Sequence, residues 1–160
     1  MKKLFVLVCV FVNISVYSQI VLEDPCGYSL TFPTGYEGPL YAFKTQNMED
    51  PSFSFITNRK EVALDSLVKE QAKFNTQVYA GNEKFVQKEN KEFKIGDVKG
   101  WLFVYEITSA SSPQYNTVYV TYFFNNKGCN VQISSYTRTT LYESGKKEAI
   151  FSILKTLKLK

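Results

Sequence analysis

The chain of 160 residues contains no histidine, and this absence excludes more chemistry than any motif in the sequence supplies. Ser-His-Asp and Cys-His catalysis, the usual general base near neutral pH, and most zinc sites all depend on imidazole. Calcium-loop spacing and phosphate-cradling glycine motifs are also absent, so no metal and no cofactor is expected. Cysteine is scarce, with three in all. No apolar run approaches the ~20 residues that a membrane-spanning helix needs, and no uninterrupted basic patch with stacking aromatics marks a nucleic-acid site. Lysine alternates with glutamate instead, as in Lys88-Glu89-Asn90-Lys91-Glu92.

Lys2 and Lys3, the apolar run Leu4 to Val12 and the small residue Ser18 have the order of a secretory signal peptide over residues 1–18. Cleavage is expected near Ser18/Gln19, leaving a single domain over residues 19–160 that is secreted or periplasmic and has no integral membrane segment. Losing Lys2 and Lys3 takes the basic count from 19 to 17 against 15 acids, so the mature chain is close to neutral. Cys26 and Cys129 then remain. In an oxidising compartment they are either one disulfide or two unpaired thiols with Cys129 partly buried.

Val98 to Ile107 is the longest run beyond the N-terminus in which both alternating side-chain sets are apolar. Trp101, Phe103, Tyr105 and Ile107 share one face, and Leu102 and Val104 share the other. A central strand covered on both sides is the expectation. Further strands are predicted at Tyr28 to Phe32, Leu40 to Lys44, Ser52 to Thr57 and Lys84 to Phe93, the last a charged edge broken near Asn90. Thr117 to Phe124 and Cys129 to Thr137 form a hairpin. A four-residue connection, Asn125 to Gly128, would pair Phe124 with Cys129. Apolar spacing of three and four predicts helices from Val62 to Thr76, capped by Asp65 or Ser66, and from about Ser144, capped by that serine.

Candidate chemistry is thin. Ser66-x-x-Lys69 and Ser144-x-x-Lys147 both match the Ser-x-x-Lys pattern of penicillin-recognising enzymes, but the companion motifs are missing. The carboxylate pairs Glu23-Asp24 and Glu49-Asp50 read as solvated loop residues. Glu106 interrupts the apolar strand, either as a buried acid or base with a raised pKa or as a strand-end residue at the sheet rim. Tyr119, Phe123, Gln132 and Tyr136 share the more polar hairpin face, where aromatics beside polar neighbours suit recognition; cover by a helix or loop is the alternative. These residues predict a non-catalytic domain binding an extracytoplasmic protein or small ligand. The rivals are a hydrolase using carboxylate or Ser-Lys chemistry, and a structural envelope component.

Tyr28-Ser29-Leu30-Thr31-Phe32-Pro33-Thr34-Gly35-Tyr36 resembles the opening strand of PsbP-like proteins. Leu64 to Gln71, the glycine-containing entry Ile95 to Trp101 and the closing Ala149 to Leu157 are similar in order to that family's later elements. The resemblance implies an α+β fold, an antiparallel sheet of about six to seven strands flanked by two helices as an α-β-α sandwich. The family's best-known member is an extrinsic subunit of photosystem II that assists calcium and chloride retention. Its metal-associated histidines have no counterpart here, so that role does not transfer.

Overall fold

A computed structural model of the protein describes residues 19–38, 42–47 and 49–160. The expected leader over residues 1–18, and Leu40 and Tyr41 of the second expected strand, lie outside the described residues. Strands β1 (Ile20–Asp24) and β2 (Tyr28–Phe32) pair as a hairpin. The main sheet is built from β3 (Ala42–Phe43), β4 (Ser52–Asn58), β5 (Glu83–Ile95), β6 (Val98–Ser109), β7 (Thr117–Asn126) and β8 (Cys129–Arg138). These six run in the order β3-β4-β8-β7-β6-β5, every neighbouring pair antiparallel. A terminal β9 (Lys158–Leu159) pairs with β2, giving a second sheet in the order β1-β2-β9. The fold is therefore α+β as expected, with the strands divided between two sheets.

Helix α1 (Leu64–Val78) packs on one face of the main sheet, where Val68 meets Phe103, Tyr105, Ile107 and Phe123. On the other face a larger core joins Leu102, Val104, Val120, Tyr122, Phe124, Val131 and Ile133 to Leu30 and Phe32 of β2. The same core takes Ile150, Ile153 and Leu154 from α3 (Lys147–Leu154). That layer is shared between the small sheet and a helix, where an all-helical layer was expected. Each fully buried side chain of this size contributes roughly 1.5–3 kcal/mol by leaving water, so the second core dominates stability.

Several expectations shift in position. Strand β6 lies one place from the edge, and the sheet centre falls on β8 and β7. The edge strand β5 is continuous through Asn90, and its irregularity is a bulge between Gln87 and Glu89. The hairpin turn consists of Lys127 and Gly128 alone, both at positive φ (50° and 74°), which is the two-residue geometry that matches strand twist. Phe124 consequently pairs with Val131 and Asn126 with Cys129. This displaces the register by two residues, which leaves every side chain on the face assigned to it, because the side-chain period is also two.

Neither expected cap forms. The residue before α1 is Ala63, with no side-chain cap, and Asp65 pairs with Lys69 at 3.1 Å. At the C-terminal end, α2 (Thr139–Leu141) precedes a wide turn, Tyr142–Lys146, in which Gly145 at φ 118° separates it from α3. Ser144 lies within that turn and its hydroxyl donates to the Leu141 carbonyl at 3.1 Å.

A disulfide joins Cys26 to Cys129 across 103 residues, linking the β1–β2 turn to the start of β8. The Asn126 amide donates to the Cys26 and Gly27 carbonyls, both at 2.8 Å, so the same two turns are also tied by hydrogen bonds.

Candidate functional site

Tyr119 stands at the middle of an aromatic ladder that crosses the α1 face of the sheet. Cross-strand neighbours on one face interact directly, and the register places Tyr105, Tyr119 and Tyr136 side by side on β6, β7 and β8. The Tyr105 and Tyr119 rings are stacked at 4.9 Å with 5° between planes, and Tyr136 follows at 5.8 Å. Phe85 on β5 extends the ladder through Tyr105 at 5.5 Å. On the opposite side the residue facing Tyr136 is Ser52 of β4, too small to cover a ring. Tyr136 is accordingly 44% exposed.

The other expected binding residues separate. Phe123 is 2% exposed and packed against Val68 and Phe103, so it belongs to the core beneath α1. Gln132 is half-buried, and its amide donates to the Ser134 hydroxyl at 3.0 Å, which in turn contacts Thr121 at 3.1 Å. Helix α1 thus covers the Phe123 end of this face and leaves Tyr119, Gln132 and Tyr136 reachable.

A hollow of about 540 Å³ opens beside Tyr119, within the size range of small-molecule sites. Its walls are Tyr79 just past α1, Asn82 and Glu83 at the start of β5, Ser109 closing β6, and Ser111, Ser112 and Tyr115 in the β6–β7 connection. Asn116 holds that connection in place. Its side-chain carbonyl accepts from the Ser109 amide at 2.8 Å, and its backbone carbonyl accepts from Thr139 at 2.9 Å. Among the described residues Glu83 has no cationic partner, and the Asn82 side chain and the Tyr79 hydroxyl make no hydrogen bond.

Burial raises the Tyr119 pKa, with added repulsion from Tyr79, Tyr136 and the Glu83 carboxylate. Burial also pushes Tyr105 up to about 12, against a smaller lowering by Asn75. Both phenols stay protonated donors at neutral pH. Tyr79, Asn82, Glu83 and Tyr115 escaped sequence reasoning because Tyr79 follows the expected helix end and the 109–114 stretch reads only as a polar loop.

A second hollow, also about 540 Å³, lies between β2, the 33–51 connection and α3. Four of its polar side chains, Tyr36, Thr45, Asp50 and Thr156, are already engaged. Asp50 accepts from Lys146 at 2.9 Å and from Thr45 at 3.0 Å, Tyr36 donates to the Pro51 carbonyl at 3.0 Å, and Thr156 bonds to Thr31 and Ile153. Gln19 and Ser152 are polar side chains that remain beside its apolar surface.

Glu106 is corrected in position. It lies inside β6, 6% exposed, where Lys88 from the β5 bulge reaches it at 2.8 Å and the Thr139 hydroxyl donates to it at 2.7 Å. Burial alone would raise its pKa, but these two hydrogen bonds and the Lys88 charge outweigh burial and lower it. A lowered pKa makes it a fixed anion at neutral pH. Lys69 is held by Asp65, and Lys147 lies over the Tyr142 ring at 5.9 Å; neither hydrogen-bonds the serine of its Ser-x-x-Lys motif. Among the described residues no group of three acidic or cysteine side chains could hold a metal ion, and no helix is long and apolar enough to cross a membrane.

No family model and no curated sequence matches the chain. Solved structures do. The cyanobacterial PsbP (CyanoP) of Synechocystis sp. PCC 6803 superposes with TM-score 0.67 at 11% identity, covering 92% of this chain and 96% of that one. The fold is PsbP-like. A Pseudomonas aeruginosa protein of unknown function, described as a putative regulator, matches at 0.57 and 12% identity over 89% of this chain and 97% of that one. The Ran-binding protein Mog1p of Saccharomyces cerevisiae matches at 0.54 and 11% over 89% and 96%. At such identities the likeness fixes the PsbP-like architecture and carries no residue roles.

Proposed function

We propose that this is a non-catalytic extracytoplasmic binding domain that recognises its ligand with Tyr119, Tyr136 and the hollow beside them. The observation that carries the reading is the unspent polar chemistry there, with phenols, an amide and a carboxylate lining one concavity beside the exposed Tyr136 ring. Tyrosine, serine and asparagine are the residues that recognition surfaces favour, because rigid amphipathic rings and adaptable hydrogen bonds cost little ordering entropy. One solved structure of this architecture is a Ran-binding protein, which supports a domain of this shape serving recognition. The Cys26–Cys129 disulfide and the leader expected over residues 1–18 support an oxidising, extracytoplasmic setting. Lysines interleaved with acids argue against nucleic acid as the partner.

Capture from native envelope extracts on immobilised mature domain tests the reading. Replacing Tyr136 with Ser, alone or with Tyr119→Ser, is expected to reduce specific capture by roughly tenfold or more, the effect of losing an aromatic anchor. Thermal unfolding of Tyr136→Ser should stay near that of the parent, since the ring is already half in solvent. Capture that is undiminished in the double variant, or no specific capture by the intact domain, removes the reading.

A further inference from the structure

We propose that the hollow bounded by Tyr79, Glu83, Ser111, Tyr115 and Tyr119 is a carbohydrate site that takes a neutral sugar ring. This rests on the binding reading above and names the ligand class for that site. Both faces of Tyr119 are used, one by Tyr105 at 4.9 Å and the other by Tyr136 at 5.8 Å. One face of Tyr115 carries the Arg138 guanidinium at 5.8 Å from the ring centre. An aromatic cage for a quaternary ammonium requires several open ring faces turned toward one point. Here two of the three tyrosines have faces already occupied, and a cation sits at the rim.

Tyr79, Tyr115 and Tyr119 line the hollow together with polar side chains. Three phenols, three serine hydroxyls, the Thr117 hydroxyl, the Asn82 amide and the Glu83 carboxylate line one space; Thr117 already donates to the Tyr115 carbonyl at 2.8 Å and Ser109 and Ser111 share a hydrogen bond at 3.2 Å, which leaves the phenols, Ser112, Asn82 and Glu83 for a ligand. That set offers many donors and acceptors and a single charge, which matches a ligand of many hydroxyls and no charge. Glu83 can accept two sugar hydroxyls as charge-assisted hydrogen bonds, and it opposes an anionic ligand. Tyr115 is 63% exposed, so its remaining face is open to the C–H face of a pyranose. The site forms where α1 ends, β5 begins and β6 passes to β7, and no single segment contains it.

Titration with methyl glycosides of glucose, galactose, mannose and N-acetylglucosamine, each up to its solubility, tests the assignment by amide chemical shifts of the mature domain. At least one glycoside is expected to produce saturable shifts confined to residues 79–83 and 109–119. Glu83→Gln and Tyr115→Ala, both at exposed positions, should each weaken that sugar roughly tenfold, the loss of a charge-assisted bond or a stacking face. Absence of saturable shifts with all four, shifts elsewhere, or affinity unchanged in both variants overturns the proposal. Tetramethylammonium binding at the hollow that is lost in Glu83→Gln also overturns it, in favour of a cation. If the sugars fail while envelope capture still depends on Tyr136, only the carbohydrate class falls; if both fail, the binding reading falls with it.

Discussion

Glu106 shows how far one side chain's surroundings can reverse its meaning. A carboxylate in an apolar strand has a raised pKa if it is alone and a lowered one if it is paired. The bulge in β5 brings Lys88 over the strand to supply the pairing charge. A group whose folded pKa lies below its unfolded value adds stability above the unfolded pKa and loses it as pH falls through the folded one. The Glu106 contribution should therefore be intact at neutral pH and fade under acid conditions. Lys88→Ala removes one partner and leaves the carboxylate buried with Thr139 alone. Because the lysine end is half exposed, the expected cost is roughly 1–3 kcal/mol. Urea melts at neutral and acid pH check this. A deficit that stayed equal in size once Glu106 is protonated would show that the lysine acts through packing, not charge.

At the scale of elements, β6 and β7 meet in a contact that fixes one residue type. Tyr122 lies across Gly100, donating its hydroxyl to the Val98 carbonyl at 2.8 Å. A Cβ added at Gly100 would stand 2.3 Å from the Phe123 carbonyl oxygen and 2.5 Å from the Tyr122 ring. Gly100→Ala is expected to force the ring or the strand aside at a cost of about 1–3 kcal/mol, the range for overpacking a tight core. Calorimetric unfolding measures the loss. An alanine variant as stable as the parent would mean that the two strands can separate freely at this point. The contact also separates the roles of neighbouring aromatics, since Tyr122 and Phe123 are structural and Tyr119 is left for the rim.

Across the whole molecule, the small sheet and the main sheet are held together at one corner, where the β1–β2 turn meets the β7–β8 turn. The disulfide there closes a long loop, and the chain-entropy account assigns such a closure about 4–5 kcal/mol. Cys26→Ser with Cys129→Ser should lower the denaturation midpoint by a corresponding amount in non-reducing buffer. Adding reductant to the parent should reproduce the loss. A double variant of parental stability would show that Asn126 and the shared core suffice to hold the corner.

Alternation and spacing along the chain settled which side chains share a face. Val118, Val120, Tyr122 and Phe124 are buried together as their period requires, and Tyr119 and Tyr136 stand on the opposite face. Those assignments survive a two-residue error in hairpin register, because local periodicity is blind to such a shift. Sequence order likewise placed both helices and the charged edge. What covers each face was decided only by tertiary structure. Helix α1 shields Phe123 but not Tyr136, the small sheet takes part of a layer that the sequence would give to a helix, and Lys88 reaches Glu106 through a bulge. The hollow beside Tyr119 belongs to the same class. Its walls come from two separated segments, residues 79–83 and 107–119, and convergence of distant residues leaves no periodic trace along a chain.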